Sequence, residues 1–235
     1  MGAVIPVAPG APTGLQAVPG NGNVTLSWFA PADGGATIDN YLVYQDGILV
    51  DTCTTNVSVI TGLVNGQSYS FNVSAVNVAG EGPTSGSVSS TPRTTPDAPS
   101  WLIAVAGNGS AILNWTAPSW NGGAEIDYYI VYQDGVDVVH VTGLSTVITG
   151  LVNGQSYDFV ISAHNVVGAG VGSSVVTAVP YTVPNAPTGL VAVPSNGMVT
   201  LNWTAPSFDG GRAIDHYVVY QDGIDVEHVT GLSTV

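Results

Sequence analysis

The chain has 235 residues, of which 45% are hydrophobic and only 8% are charged, and its formal net charge is −14. Arg93 and Arg212 are the only fixed cations, so the sequence lacks the basic surface that binds nucleic acid or anionic membranes. Residues 1–12 lack the basic start of a signal peptide, and no stretch has the roughly 18 to 20 apolar residues of a membrane span. We therefore expect no nucleic acid partner and no membrane insertion.

An internal repeat of 88 residues organises the chain. The segment Val-Tyr-Gln-Asp-Gly recurs with its tyrosine at Tyr44, Tyr132 and Tyr220, and a period of this length indicates an array of like modules. The third copy stops at Val235 and has no counterpart of the residues after Val147, so we expect a longer array around this chain. The predicted segments are the tail of a preceding module or a linker at 1–8, two modules at 9–95 and 96–183, and a partial module at 184–235.

Strand patterns fill the second module in chain order. Polar and apolar residues alternate at period two, and Gly, Asn and Pro clusters separate the segments. An early strand ends at Trp115, a strand over 126–133 leads into an Asp-Gly hairpin turn, and a long strand carries alternating apolar residues from Tyr157 to Ala163. With a closing strand near 173–179, the pattern predicts an all-β fold of seven short strands in each complete module.

Three motifs in these elements resemble those of fibronectin type III modules. A start of the form Ala-Pro-x-x-Leu lies at 11–15, 98–102 and 186–190, an early strand ends in tryptophan, and Gly-Leu-Val-Asn-Gly-Gln-Ser-Tyr lies at 62–69 and 150–157. The resemblance covers nearly the whole chain and implies tandem seven-stranded immunoglobulin-like β-sandwiches, the third truncated. It further implies two structural roles, a buried tryptophan on the second strand (Trp28, Trp115, Trp203) and a tyrosine corner whose hydroxyl bonds back to the backbone (Tyr69, Tyr157).

Cys53 is the only cysteine of the chain. An immunoglobulin domain would need a cysteine pair bridging its two sheets, so a single cysteine disfavours that alternative. The position of Cys53 is occupied by Val141 and Val229 in the other copies. We therefore predict that Cys53 acts as a small buried hydrophobic residue and not as a reactive thiol.

The polar residues of the chain do not form a pattern that predicts chemistry. Aspartates recur at the module period, which favours turn and strand-end roles over an active site. His140 and His228 recur 88 residues apart, whereas a metal site needs several converging ligands. The loop residues Asp33, Asn121 and Asp209 lack the ligand spacing of a calcium loop. We expect a non-enzymatic protein with no catalytic, cofactor-binding or metal site.

Two sets of surface residues are candidate sites. Strand alternation predicts an exposed stripe of aromatic and branched side chains, a candidate protein contact surface formed by Tyr128, Ile130, Tyr132, Val160, Val218 and Tyr220. Asn-x-Ser/Thr sequons offer possible glycosylation sites at Asn23, Asn56, Asn72, Asn108, Asn114 and Asn202. A chain this rich in Asn, Ser and Thr also produces sequons by chance. Alternation turns Asn114 and Asn202 outward, because each precedes an inward tryptophan.

The joints and the surface composition suggest a function outside catalysis. Short proline-rich segments at 91–96 and 180–184 join the modules and should be extended and semi-rigid. The leading hypothesis is an extracellular or cell-surface structural array, such as a stalk, surface filament or adhesin segment, that acts as a stiff spacer and contacts itself or neighbouring modules. One alternative is a set of accessory modules of a secreted polysaccharide-degrading enzyme, although no residue supports carbohydrate binding. Another is a virion decoration or tail protein.

Overall fold

The computed structural model describes residues 5–235, which form strands, turns and loops. Residues 1–4 of the predicted 1–8 segment lie outside the described residues. The part that is described contains no apolar helix of membrane-spanning length. It divides into two compact units. The first runs to Ala98 and includes Pro118–Tyr128 and Ser162–Val171, and the second contains Pro99–Ala117, Tyr129–Ile161 and Gly172–Val235.

The first repeat builds two antiparallel sheets. One sheet has the strand order β1-β2-β5, and the other has the order β4-β3-β6-β7 with β8 also paired to β6. These eight strands are β1 Thr13–Gly20, β2 Asn23–Phe29, β3 Asn40–Gln45, β4 Ile48–Cys53, β5 Val57–Thr61, β6 Tyr69–Asn77, β7 Gly80–Glu81 and β8 Val88–Ser90. The expected seventh strand is thus split into β7 and β8.

The second repeat has the same strand order as the first. Its sheets are β13-β10-β9 and β12-β11-β14-β15, with β16 paired to β14. The strands are β9 Ser100–Gly107, β10 Ser110–Thr116, β11 Ile126–Gln133, β12 Val136–Val141, β13 Ser145–Thr149, β14 Tyr157–Asn165, β15 Gly168–Gly172 and β16 Val176–Ala178. The all-β fold expected from the alternation is confirmed.

The third repeat contains the strands that its shorter sequence allows. They form one sheet of order β17-β18-β21 and a separate pair β19-β20. Their bounds are β17 Thr188–Ser195, β18 Met198–Thr204, β19 Tyr217–Gln221, β20 Ile224–Val229 and β21 Ser233–Thr234.

Each complete repeat is centred on its tryptophan. Trp28 is 3% exposed and meets the Tyr41 ring edge-on at a centroid distance of 5.4 Å. Trp115 is 4% exposed and meets Tyr129 in the same way at 5.6 Å. Burial alternates along the strands of the first repeat, so that Val24, Leu26 and Trp28 share one face of β2. The residues that alternation predicts on the inner faces of β2 and β10 are therefore the buried ones.

A tyrosine hydroxyl near the start of the long strand pairs with the loop before it. In the first repeat the main-chain amide of Val64 donates to the Tyr69 hydroxyl oxygen at 3.0 Å, and in the second the amide of Val152 donates to Tyr157 at 2.9 Å. Both tyrosines are buried. Each hydroxyl therefore satisfies a loop amide that would otherwise lack a partner away from water.

Tyr157→Phe should lower the stability of the fragment 96–183 by about 1 to 3 kcal/mol, because the Val152 amide loses its acceptor while the ring stays in place. The midpoint of urea unfolding is the measurement. Tyr132→Phe, a half-buried tyrosine of β11, serves as the control and should shift the midpoint much less. Equal midpoints for Tyr157→Phe and the parent would show that the hydroxyl contributes nothing.

The third repeat leaves its core side chains more open than the complete repeats do. Trp203 packs edge-on against Tyr217 at 5.5 Å but is only half-buried, and Val199 is 47% exposed. Trp203 and Tyr217 line a groove of about 430 Å³ together with Leu201 and Val219. The apolar burial that stabilises the other two tryptophan strands is therefore incomplete here.

Limited proteolysis of the 235-residue chain should begin beyond about Pro184 and leave residues 9–183 intact, because a sheet with an open core unfolds locally at low free-energy cost. Mass spectrometry of the early fragments identifies the first cleavage sites. Cleavage inside the second repeat at the same rate would contradict the assigned difference in core burial.

Candidate contact surfaces and joint geometry

The segment that enters each repeat is hydrogen-bonded to a Gly-Gly loop of that repeat. A main-chain amide of the segment donates to the carbonyl of the first glycine in three equivalent bonds, Val7 to Gly34 (2.9 Å), Thr94 to Gly122 (2.8 Å) and Thr182 to Gly210 (2.8 Å). Gly122 has φ +79°, and a Cβ there would lie 2.1 Å from the carbonyl oxygen of Thr94. Only glycine permits both this backbone conformation and this approach.

A buried asparagine at the end of the long strand is hydrogen-bonded to the same incoming segment. Asn165 is fully buried, and its Nδ2 donates to the carbonyl oxygens of Thr94 at 2.8 Å and Asn121 at 2.9 Å. In the first repeat Asn77 makes the matching pair of bonds, to Val7 and Asp33, both at 2.7 Å. One amide group therefore ties the incoming segment to the loop it crosses.

The segment between the first and second repeats is also bonded to the repeat it leaves. The Gly66 amide donates to the Pro92 carbonyl at 2.8 Å, and the Arg93 amide donates to the Gly20 carbonyl at 3.0 Å. All these residues and the loop around Gly122 belong to the first compact unit. Pro92 and Arg93 are thus bonded to the repeat that the linker leaves, and Thr94 is bonded to the repeat that it enters.

The joint before the third repeat uses the same bonds within the second compact unit. The Gly154 amide donates to the Pro180 carbonyl at 2.8 Å, and the Tyr181 amide donates to the Gly107 carbonyl at 3.1 Å. Arg212 adds a contact here, with its guanidinium carbon 4.0 Å from the centroid of the Tyr181 ring.

Glycines also meet directly at each joint. A Cβ on Gly123 would lie 2.4 Å from the amide nitrogen of Gly66, and a Cβ on Gly211 would lie 2.4 Å from that of Gly154. The second glycine of each Gly-Gly pair therefore lets the backbone of one repeat approach the backbone of the next. Sequence reasoning missed this role, although the Gly-Gly pair recurs once in each repeat and was the available signal.

The predicted stripe is only partly exposed. Tyr220 is 65% exposed, and four further members, Tyr128, Tyr132, Val160 and Val218, are half-buried. The Tyr128 ring is stacked on His164 at a centroid distance of 4.4 Å.

The prediction that Ile130 faces solvent is wrong, because its side chain is only 6% exposed. It lies in the middle of β11, an inner strand with β12 on one side and β14 on the other, and stands opposite His140 of β12. Side chains of flanking strands cover the outward face of an inner strand, so alternation alone does not make that face open. The contact role of the remaining stripe residues stays a prediction.

The sequon asparagines differ in how much of the side chain is available. Asn56, Asn108 and Asn202 are exposed, whereas Asn23, Asn72 and Asn114 are half-buried. Nδ2 is the atom that would carry a glycan, and that of Asn56 donates to the Trp28 carbonyl at 2.9 Å. Glycosylation at the six positions stays a prediction.

Comparison with known proteins assigns the family. The model of the fibronectin type III domain matches residues 10–91 and 97–179. The chain belongs to the fibronectin type III family. The five residues between the two matches, 92–96, include the linker residues 92–94, which are hydrogen-bonded to both repeats.

Two curated relatives and a solved structure are similar to this chain. The chain is 30% identical to exoglucanase B of Cellulomonas fimi over 96% of its own length and 22% of that protein. It is 33% identical to chitinase A1 of Niallia circulans over 71% of its length and 25% of that protein. It therefore spans about a quarter or less of these curated relatives. Domains A168–A170 of titin match 74% of this chain and 61% of theirs, with a TM-score of 0.50 and 19% identity, which supports the fold alone.

The recurring acids of the fibronectin type III modules support turns. Asp46 and Asp134 have φ +50° and +51°, and their Oδ1 atoms accept bonds from the amides of Ser70 and Asp158, both at 2.9 Å. The loop residues that lack calcium-ligand spacing each accept a bond from the amide two residues on, Asp33 from Gly35, Asn121 from Gly123 and Asp209 from Gly211. Among residues 5–235 no group of three His, Cys, Asp or Glu side chains could hold a metal ion.

Cys53 is partly buried at the edge of the first module's core, and its thiol donates to the Thr55 carbonyl at 3.3 Å. Burial raises the pKa of the Cys53 thiol, and the charge of Asp51 raises this pKa further. The thiolate is the form that reacts with disulfides, so a raised pKa keeps the thiol unreactive at neutral pH.

Cys53 in the folded chain should react with an aromatic disulfide reagent at least tenfold more slowly than in urea at the same pH, because burial disfavours the thiolate. The reaction should accelerate as the pH rises through the raised pKa. Absorbance of the released thiol measures both rates. Equal rates in the folded and unfolded chain would show an open, ordinary thiol.

Proposed function

We propose that this chain is a non-catalytic, extracellular array in which fibronectin type III modules act as a stiff spacer. The observation that supports the proposal is the linker at 92–94, which is bonded to the module it leaves and to the module it enters. The second joint repeats the same bonds through Pro180, Tyr181 and Thr182. Such a joint can bend only by breaking hydrogen bonds between the linker and one of its two modules.

The stiffness follows from the number of bonds and the shortness of the linker. Each hydrogen bond contributes about 1 kcal/mol net, and the Asn165 amide adds two bonds at the same place. Proline in the linker reduces the number of conformations that an opened joint could gain. A joint that opened would therefore gain little conformational entropy to offset the hydrogen bonds it lost.

The surface of the modules suits protein contacts in an extracellular setting. Only 8% of the residues are charged, and exposed positions carry many Val, Thr, Ser and Asn side chains. Contacts to a second copy or to neighbouring modules would therefore be apolar and hydrogen-bonded, with little ionic attraction for salt to screen. Formation of a filament stays a prediction.

The second candidate is an accessory region of a secreted polysaccharide-degrading enzyme. The similarity to exoglucanase B and chitinase A1 favours it, since each of these enzymes contains a region like this chain. Depletion of the purified chain from solution by insoluble cellulose or chitin would support this candidate. A chain that stays in solution with both polymers would favour the spacer.

Gly123→Ala should loosen the first joint, because the new Cβ would lie 2.4 Å from the Gly66 amide nitrogen. Nitrogen-15 NMR relaxation of the complete chain should then give shorter tumbling times for the first module, whereas the parent should give one slow tumbling time for both joined modules.

Gly135→Ala is the matched control for that experiment. Gly135 has φ +80°, close to the +85° of Gly123, but a Cβ on Gly135 meets no atom within 4 Å. Both variants therefore carry the same backbone strain, and only one carries the clash. Identical relaxation of the two variants would overturn the proposed stiffness of the joint.

A further inference from the structure

Trp101 departs from its repeat partners in both exposure and backbone conformation. It is 83% exposed and has φ +53°. The other two repeats carry glycine at this position, Gly14 and Gly189, each with φ +62°. A bulky residue in the left-handed region is a strained outlier. The second module therefore keeps an aromatic side chain on its surface at a position where its neighbours avoid the strain.

Trp101 belongs to an apolar patch on the sheet formed by β9, β10 and β13. Its members, called here the Trp101 face, are Trp101, Ile103, Val105, Ile112 and Val147. Except for Trp101 they are between 45% and 55% exposed. Val105, Ile112 and Val147 stand directly opposite one another across the three strands. A Cβ on the equivalent Gly14 would contact the outward Phe29 ring, which places the side chain of this position on the outer side of the sheet.

The second module differs from the others at three positions of this face. The first repeat carries Gly14, Gln16 and Thr25 at the positions of Trp101, Ile103 and Ile112. The third repeat carries glycine and threonine at two of these three positions. The first repeat also exposes valines on this face, but Thr25 separates Val18 from Val59. In the second module Ile112 joins the equivalent valines into one contiguous apolar surface, and such surfaces mark contact sites in soluble proteins.

The Trp101 face is uncharged and has a polar border. The outward residues that surround it on β10 and β13 are Ser110, Asn114, Thr116, Ser145 and Thr149. An apolar centre with an aromatic residue and a hydrogen-bonding rim is the anatomy of a protein interface. On a chain with net charge −14, an uncharged face is where two copies can approach without like-charge contact, and a charged partner would gain nothing from it.

We propose that the Trp101 face binds the same face of a second copy of this chain. Two flat β faces pack at about 10 Å through branched side chains, and a face that contacts itself forms a closed dimer. Five apolar side chains make a small interface, so the dimer is weak and concentration-dependent. This adds a partner to the proposed array and does not depend on the stiffness of its joints.

Sedimentation velocity of the complete 235-residue chain tests the proposal. The dimer fraction should rise with concentration and also with salt, because salt screens the repulsion between two chains of charge −14. The triple variant Trp101→Gly/Ile103→Gln/Ile112→Thr should dimerise at least about tenfold more weakly. It uses residues that the first repeat carries at the same positions, so its circular dichroism and thermal melt should match those of the parent.

The control is Val136→Ser/Val138→Ser, which removes two exposed valines from β12 of the other sheet and should leave dimerisation unchanged. A parent that stays monomeric at all concentrations would overturn the proposal. So would association that falls with salt, or a folded triple variant that associates like the parent. Gly123→Ala tests the joints separately and should leave dimerisation unchanged.

Discussion

In each repeat a carbonyl oxygen of the incoming chain lies where a side chain would begin on the first glycine of a Gly-Gly loop, and the joints depend on this approach. The distance from the ideal Cβ position to the oxygen is 2.2 Å at Gly34, 2.1 Å at Gly122 and 2.1 Å at Gly210. Because the chain comes this close, a buried asparagine amide can bridge it to the loop. The residues directly before it in the proline-rich linker are then close enough to bond the preceding module.

The strand-level architecture was predictable because burial and period-two alternation agree on most strands. Val24, Leu26 and Trp28 are buried as expected, and the half-buried residues between them are polar. Ile130 shows where the argument stops. Alternation tells which face a residue is on, but the exposure of that face depends on what the flanking strands place beside it. β11 is an inner strand with neighbours on both sides, so its outward isoleucine is buried, whereas the equivalent Val218 lies on the two-stranded sheet β19-β20 and is half-buried.

The joints and the Trp101 face could not be predicted from the local pattern, for different reasons. The turn alone explains a Gly-Gly pair in a loop. Its role in the joint shows only when the chain segments that approach it are placed, namely the linker before the repeat and the Gly66 or Gly154 loop of the preceding repeat. Trp101 had a signal, since its equivalents in the other two repeats are glycines. That signal appears only when the repeats are compared position by position, because alternation treats Trp101 as one more hydrophobic residue near a strand end.

A glycan on Asn114 and a second copy bound at the Trp101 face would compete for the same surface. Asn114 lies on β10 between the inward Leu113 and Trp115, and it stands opposite Ile103 of the apolar patch. A glycan attached there would project over the patch from its polar rim and hold water against it. A chain glycosylated at Asn114 therefore cannot use this face for a second copy, whereas glycans at Asn23 or Asn202 would lie on other modules and leave it free. The attachment state of one asparagine would thus decide whether the second module is a contact module or a plain spacer.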